Sequence, residues 1–172
     1  VIDVGGGSTE LILRDGQRVF TEVSLEIGAV RLTESFLDGG NADHRRLARL
    51  REAVTGALAG LSLPARPRLA LGVGGTATTL AAMDAGLTTF DPAALHGYNL
   101  TRLAIRRWID TLLPAGPSER AALCAVDPGR ADYMLAGAAA LEGILDAAGK
   151  QSMRVSTRGL RFGLLTAQRH QG

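Results

Sequence analysis

Two carboxylates bracket a run of three glycines and two hydroxyl side chains near the start of the chain, in Asp3-Val4-Gly5-Gly6-Gly7-Ser8-Thr9-Glu10. Glycine carries no side chain to hold a ligand off. The backbone N–H groups of Gly5, Gly6 and Gly7 can therefore turn inward and cradle an anion. Ser8 and Thr9 can add hydroxyl donors. Asp3 and Glu10 can hold a divalent cation against the same anion, and Mg²⁺ with phosphate is the pairing that this donor set suggests. A plain glycine-rich hairpin would use the same residues for turn capping alone. The apolar residues before and after the motif, Val1-Ile2 and Leu11-Ile12-Leu13, make it a strand, a tight turn and a second strand.

A second glycine turn, Gly74-Gly75-Thr76, follows the apolar run Arg68–Val73 and leads into a helix. The first N–H groups of that helix would point at whatever lies over the turn, so both turns could converge on one anion. Thr76 also reads as a simple helix start. His96 lies beside Gly97 in a loop and reads as structural or solvated. Arg130 and Asp132 stand at a helix start and read as a local salt bridge. Arg102, Arg106 and Arg107 form a run that Arg154, Arg158 and Arg161 could extend into a basic wall for a polyanion. No side chain stands out as a general base for water. Asp3 and Glu10 would be occupied by the metal, and Lys150 is the single lysine.

At 172 residues the chain can bury one core and is read as a single domain over 1–172. Aromatics make up only 4%, so Leu, Ala, Val and Ile must fill that core. With 19 basic against 17 acidic residues the net charge is +2, too small to imply nucleic acid. Cys124 is single, so no internal disulfide forms; it reads as a buried structural thiol and points to the cytoplasm. No apolar window is long enough for a membrane span. The chain opens inside a strand without Met, and a site so close to Val1 is expected to belong to a fragment whose upstream part is missing.

Three strands are expected at 1–4, 8–14 and 17–25, with the turn Arg14-Asp15-Gly16-Gln17 between the last two. Helices are expected at Val30–Leu37 (stopped by Asp38-Gly39-Gly40-Asn41) and Asp43–Leu61, ended by Pro64 and Pro67. Others follow from Gly74 through Met83, at Thr101–Leu113, from a Ser118 cap to Ala125, at Arg130–Ala148, and at Gly159–Gln168. Strands are expected at Arg68–Val73 and Met153–Ser156, and residues 84–100 read as a loop with short extended pieces. Gly137 inside an otherwise apolar helix implies a close backbone contact, since glycine there costs about 1 kcal/mol against Ala. Three hairpin-linked strands followed by helix–strand–helix units make an α/β protein with a mixed sheet and ribonuclease-H-like topology. The dinucleotide-binding fold fits worse, because the turn after Asp3 enters a strand and Gly-x-Gly-x-x-Gly is absent.

The opening Asp3–Glu10 motif resembles the phosphate-binding motif of the exopolyphosphatase and guanosine-pentaphosphate phosphatase family. Leu25-Glu26-Ile27-Gly28-Ala29-Val30-Arg31-Leu32, Gly72–Ala81, His96-Gly97-Tyr98, Arg130–Ala138 and Gly159–Leu165 resemble further family segments in the same order. The resemblance implies the second lobe of a two-lobed actin-like ATPase fold, with the N-terminal lobe absent. It implies Mg²⁺-dependent hydrolysis of terminal phosphoanhydride bonds in inorganic polyphosphate or guanosine pentaphosphate. By this resemblance Asp3 and Glu10 would bind metal or phosphate, and Gly5, Gly6, Gly7 and Ser8 match the glycines and serine of the family's phosphate-binding motif. The water-activating glutamate of the family lies upstream of this motif, so the isolated chain is expected to be inactive. A homodimer of the complete protein is a further implication. Two other readings stay open: a kinase lobe of the sugar and acetate kinase superfamily, and a non-catalytic sensor of (p)ppGpp-type nucleotides.

Overall fold

In the computed structural model, residues 1–15, 18–37, 42–61 and 67–159 are described. Alternating side chains form β1 (Ile2–Val4), β2 (Thr9–Asp15) and β3 (Arg18–Leu25), an antiparallel meander. Ile2, Val4 and Leu11 are buried on one face, and Asp3 and Glu10 lie on the other. Helix α1 (Ala29–Phe36) and helix α2 (His44–Leu58) follow. The Asp43 side chain caps α2 by accepting the Arg46 N–H at 2.7 Å. β4 (Leu71–Val73) runs directly into α3 (Gly74–Asp84). A short α4 (Pro92–Leu95), β5 (Asn99–Thr101), α5 (Arg102–Leu112) and α6 (Pro117–Leu123) come next. A 3-10 turn (Pro128–Arg130), α7 (Ala131–Ala147) and β6 (Ser152–Val155) complete the described elements.

The six strands lie in the order β3-β2-β1-β4-β6-β5. β1, β4 and β6 are mutually parallel in the middle, so their carboxyl ends share one edge of the sheet. At that edge β1 leaves into the first glycine turn and β4 into α3. The expected mixed α/β architecture, with its antiparallel meander at one side, is the one observed.

Helix α7 is the central packing element and lies against α1, α2, α3, α5 and α6. Its alanine-rich surface lets neighbours approach closely. A Cβ on Gly137 would stand 2.5 Å from Thr76 Cγ2 and 3.3 Å from Ala29 Cβ, which is the close contact that this glycine implied. The rest of the core is aliphatic, with Leu50, Leu80, Ile105, Ile109 and Leu141 fully buried. Each such side chain contributes about 1.5–3 kcal/mol through the apolar area removed from water. Among the described residues no helix is long and apolar enough to cross a membrane.

Several boundaries differ from the sequence reading. Helix α2 stops at Leu58 instead of Leu61, because the Ala59 N–H is shared between Thr55 and Gly56 carbonyls and Leu61 bonds back to Leu58 in a tightened last turn. β4 begins at Leu71, three residues later than expected, and β6 covers Ser152–Val155. The stretch 84–100 contains α4, whose Asp91 carboxylate accepts the Ala93 and Ala94 N–H groups with Pro92 in the first turn. Helix α6 is not capped by Ser118: Gly116 is its N-cap and Pro117 occupies the first turn. The 14–17 turn, the 38–41 stop, Pro64, Arg161 and the helix expected at 159–168 fall wholly or partly outside the described residues.

Candidate functional site

The first glycine turn is shaped by what its carbonyls do. Gly5 donates its N–H to the Ser8 carbonyl at 2.9 Å and closes the turn. The Gly5 carbonyl accepts the Ala29 N–H at 2.8 Å, and the Gly6 carbonyl accepts Val30 and Arg31 at 3.0 and 3.1 Å. The turn thus supplies the missing partners for the start of α1. Arg31 Nε donates to the Gly7 carbonyl at 3.1 Å. With the carbonyls held from one side, the amides of Gly6, Gly7 and Ser8 meet no acceptor among the described residues. This corrects one element of the expected cradle, because the Gly5 amide is spent within the turn. Gly28 makes the arrangement possible. A Cβ there would lie 2.3 Å from the Gly6 oxygen and 2.4 Å from the Gly7 carbonyl carbon. Gly7 is different: its φ is not positive and nothing lies within 4 Å of a Cβ. No described residue requires glycine there, whereas close approach by a ligand would.

Strand register brings the acids together. Asp3 lies opposite Glu10, and Glu10 lies opposite Ser24 on β3. The Glu10 Oε1 accepts Ser8 Oγ at 2.6 Å and Ser24 Oγ at 2.9 Å. Burial, and then the neighbouring Glu10 carboxylate, raise Asp3 above the ordinary carboxylate range. No cluster of three His, Cys, Asp or Glu side chains occurs among the described residues. Two hard oxygen donors that repel each other fit a small divalent cation whose other ligands are water and ligand oxygens, which is how Mg²⁺ is usually held.

The second turn meets the first through Asp3. Gly74 takes φ +78 and starts α3 without any side-chain cap. As the first three residues of the helix, Gly74, Gly75 and Thr76 have amides with no intrahelical partner. A Cβ on Gly74 would stand 2.1 Å from Asp3 Oδ1, so the carboxylate lies directly against the turn. A Cβ on Gly75 would stand 2.3 Å from the Arg130 guanidinium carbon. Arg130 Nε donates to Asp127 Oδ2 at 2.6 Å, so its partner is Asp127 and not Asp132. A guanidinium placed on the positive end of a helix is unfavourable by itself. An anion between the two relieves both.

Two expected hydroxyl donors are committed elsewhere. Thr9 is fully buried and its hydroxyl donates to the Ile27 carbonyl at 2.9 Å, tying β2 to the start of α1. The Thr76 hydroxyl donates to the Val4 carbonyl at 2.7 Å and stitches α3 to β1. Thr76 keeps only its backbone amide for a ligand. Ser8 keeps both its amide and a hydroxyl, the latter turned to Glu10.

Four arginines of the expected basic wall have partners within the chain, while Arg161 lies outside the described residues. Arg102 pairs with Asp146, Arg106 with Glu142 at 2.7 Å, and Arg107 with Asp84 at 3.4 Å. Arg154 donates to the Gly97 carbonyl at 2.8 Å, and His96 is exposed. A cavity of about 350 Å³ opens between α2, α5 and α7, away from both glycine turns, but its Arg51 and Arg106 are already satisfied by Glu142. The candidate binding groups therefore gather at the carboxyl ends of β1 and β4 and not around that cavity. Two contributors escape a reading of the sequence alone: Arg130, whose position depends on how α7 packs on α3, and Ser24, which becomes legible only once the β2–β3 register is set.

A model of the Ppx/GppA phosphatase family matches residues 1–171. Exopolyphosphatase 2 of Mycobacterium tuberculosis is 36% identical over 148 residues, covering 83% of this chain and 45% of that protein. A bifunctional 3-dehydroquinate synthase/phosphatase of Fusobacterium nucleatum is 31% identical over 160 residues, covering 91% of this chain and 24% of that protein. The crystal structure of the Aquifex aeolicus Ppx/GppA family member superposes with a TM-score of 0.91 at 33% identity, covering 99% of this chain and 55% of that one. The chain spans about half the length of the exopolyphosphatase and of the solved structure it matches.

Proposed function

Since this chain belongs to the Ppx/GppA phosphatase family, we propose that it forms one lobe of an enzyme that hydrolyses terminal phosphoanhydride bonds in polyphosphate or guanosine pentaphosphate. One observation carries the reading. Two sets of backbone amides without an acceptor among the described residues, at Gly6-Gly7-Ser8 and Gly74-Gly75-Thr76, flank a half-buried carboxylate, Asp3. Amides without acceptors favour an anion. A carboxylate among them repels an anion unless a cation lies between.

Asp3 and Glu10 would hold Mg²⁺, which when bound neutralises phosphate oxygens and makes the terminal phosphorus a better electrophile. The two glycine turns bind and orient the terminal phosphoryl group through backbone N–H donors that need no reorganisation. Arg130 faces the charge that gathers on the oxygens as the anhydride bond breaks. Water adds to the terminal phosphorus, and the bridging oxygen leaves with the shortened chain. The carboxylate that takes the proton of that water is proposed on the opposite lobe, since Asp3 and Glu10 are occupied.

Amide NMR of the 172-residue chain tests this. Adding Mg²⁺ with a short polyphosphate should shift the Gly6, Gly7, Gly74 and Gly75 resonances, and Asp3→Asn should abolish the metal-dependent part. Binding that leaves these amides unmoved and instead perturbs residues around Arg51 and Arg106 would refute the site. In the complete protein, release of phosphate from polyphosphate should depend on Asp3 and Glu10. Binding without any release would point to a sensor.

A further inference from the structure

We infer that Ser24 is a positioning residue that keeps Glu10 aimed at the cation once Ser8 turns to the phosphate. This rests on the reading of Asp3 and Glu10 as metal ligands. Glu10 receives two donors, and both go to the same oxygen: Ser8 Oγ at 2.6 Å and Ser24 Oγ at 2.9 Å meet Oε1. Among the described residues no donor meets Oε2, which is therefore left for a cation on the Asp3 side.

The two serines differ in where they stand. Ser8 belongs to the glycine turn, and its own amide is one of those without an acceptor. A hydroxyl has one hydrogen to donate. When a phosphoryl oxygen settles on the Ser8 amide, the hydroxyl beside it faces a second, more highly charged acceptor than Oε1. If it turns to the phosphate, Glu10 loses its shorter hydrogen bond. Ser24 does not face this choice. It sits on β3 directly opposite Glu10, fixed by the ladder that also pairs Leu11 with Val23 and Thr9 with Leu25. Its hydroxyl is carried by β3 and not by the glycine turn. Ser24 thus holds Oε1 throughout the exchange and spares a flexible side chain from being ordered only when the metal arrives.

The test is titration of Mg²⁺ into the 172-residue chain by calorimetry in the presence of inorganic phosphate, for the wild type, Ser24→Ala and Ser24→Thr. Loss of a partner that orients a metal ligand should weaken Mg²⁺ binding by about tenfold in Ser24→Ala. Ser24→Thr, which restores the hydroxyl on a strand-favouring residue, should recover it. Phosphate binding without Mg²⁺ and the melting temperature should not change. The inference is overturned if Ser24→Ala binds Mg²⁺ like the wild type, if Ser24→Thr is as weak as Ser24→Ala, or if metal-free phosphate binding falls equally. A wild-type chain that binds phosphate but takes up no Mg²⁺ would instead remove the metal reading of Asp3 and Glu10, and this inference with it.

Discussion

Replacing Gly28 by alanine should damage the first phosphate cradle through sterics alone. Gly28 has φ −76 and ψ 158, an extended conformation open to any residue. Conformational freedom is thus no reason for glycine here. The added methyl would stand 2.3 Å from the Gly6 oxygen, 2.4 Å from the Gly7 carbonyl carbon and 2.5 Å from the Gly6 carbonyl carbon. All three atoms are backbone and cannot swing aside. Relief to ordinary van der Waals distance requires the turn and the start of α1 to part by about 1 Å. That movement stretches the bonds from Ala29, Val30 and Arg31 to the Gly5 and Gly6 carbonyls. At roughly 1 kcal/mol for each of the three bonds, with relaxation recovering part, the cost is about 2–3 kcal/mol. In a chain of this size each kcal/mol lowers the melting temperature by about 2–4 °C, so a fall of about 4–12 °C is expected. The assay is thermal unfolding by circular dichroism with and without phosphate, and the stabilisation by phosphate should vanish in Gly28→Ala. Gly7→Ala is the control: nothing lies within 4 Å of its Cβ, so it should melt like the wild type while binding phosphate less tightly. If Gly28→Ala melts within about 2 °C of the wild type, or Gly7→Ala is equally destabilised, the steric account is wrong.

Asp3→Asn should separate stability from binding. Burial and Glu10 raise the folded-state pKa of Asp3, so the folded chain holds its proton more tightly than the unfolded chain does. Ionised Asp3 therefore costs stability above its folded pKa, and the cost fades as pH falls towards the ordinary value of 3.8. The metal-free variant should melt higher than the wild type at pH 7 and no higher at pH 3, while Mg²⁺ binding falls by about tenfold or more; a lower melting temperature at pH 7 would contradict the electrostatics. Cys124 is fully buried, and burial pushes its thiol up to about 11. At pH 8 only about one thiol in a thousand is ionised, so a disulfide reagent should label the native chain negligibly and the guanidinium-unfolded chain at once; rapid labelling of native protein would show that the α6 end opens.

What could be read from the residues was whatever depends on near neighbours in the chain. The Asp3–Glu10 motif announces a turn with acids at both ends because glycines, hydroxyls and carboxylates lie within one strand–turn–strand unit. The stripes of α2, α5 and α7 follow from helical spacing, and Gly137 signals a close contact because glycine in a buried helix has a cost that something must offset. The meander and the mixed sheet follow from the order of these units. Less legible were features where a short cap outweighed a weak pattern, as when Asp91-Pro92 nucleated α4 inside an apparent loop.

Packing and register decided the rest. Whether a hydroxyl serves a ligand or the fold depends on which carbonyl the tertiary structure brings within 3 Å, and for Thr9 and Thr76 that carbonyl belongs to residues far along the chain, Ile27 and Val4. The arginines of α5 looked like a free basic face until the packing of α7 set Glu142 and Asp146 beside Arg106 and Arg102. The same packing put the Arg130 guanidinium on Gly75. Composition and spacing determine which groups are able to donate, accept or carry charge. Only the fold decides which of them are already satisfied, because hydrogen bonds and ion pairs act over a few ångströms between residues whose separation along the chain says nothing about their separation in space.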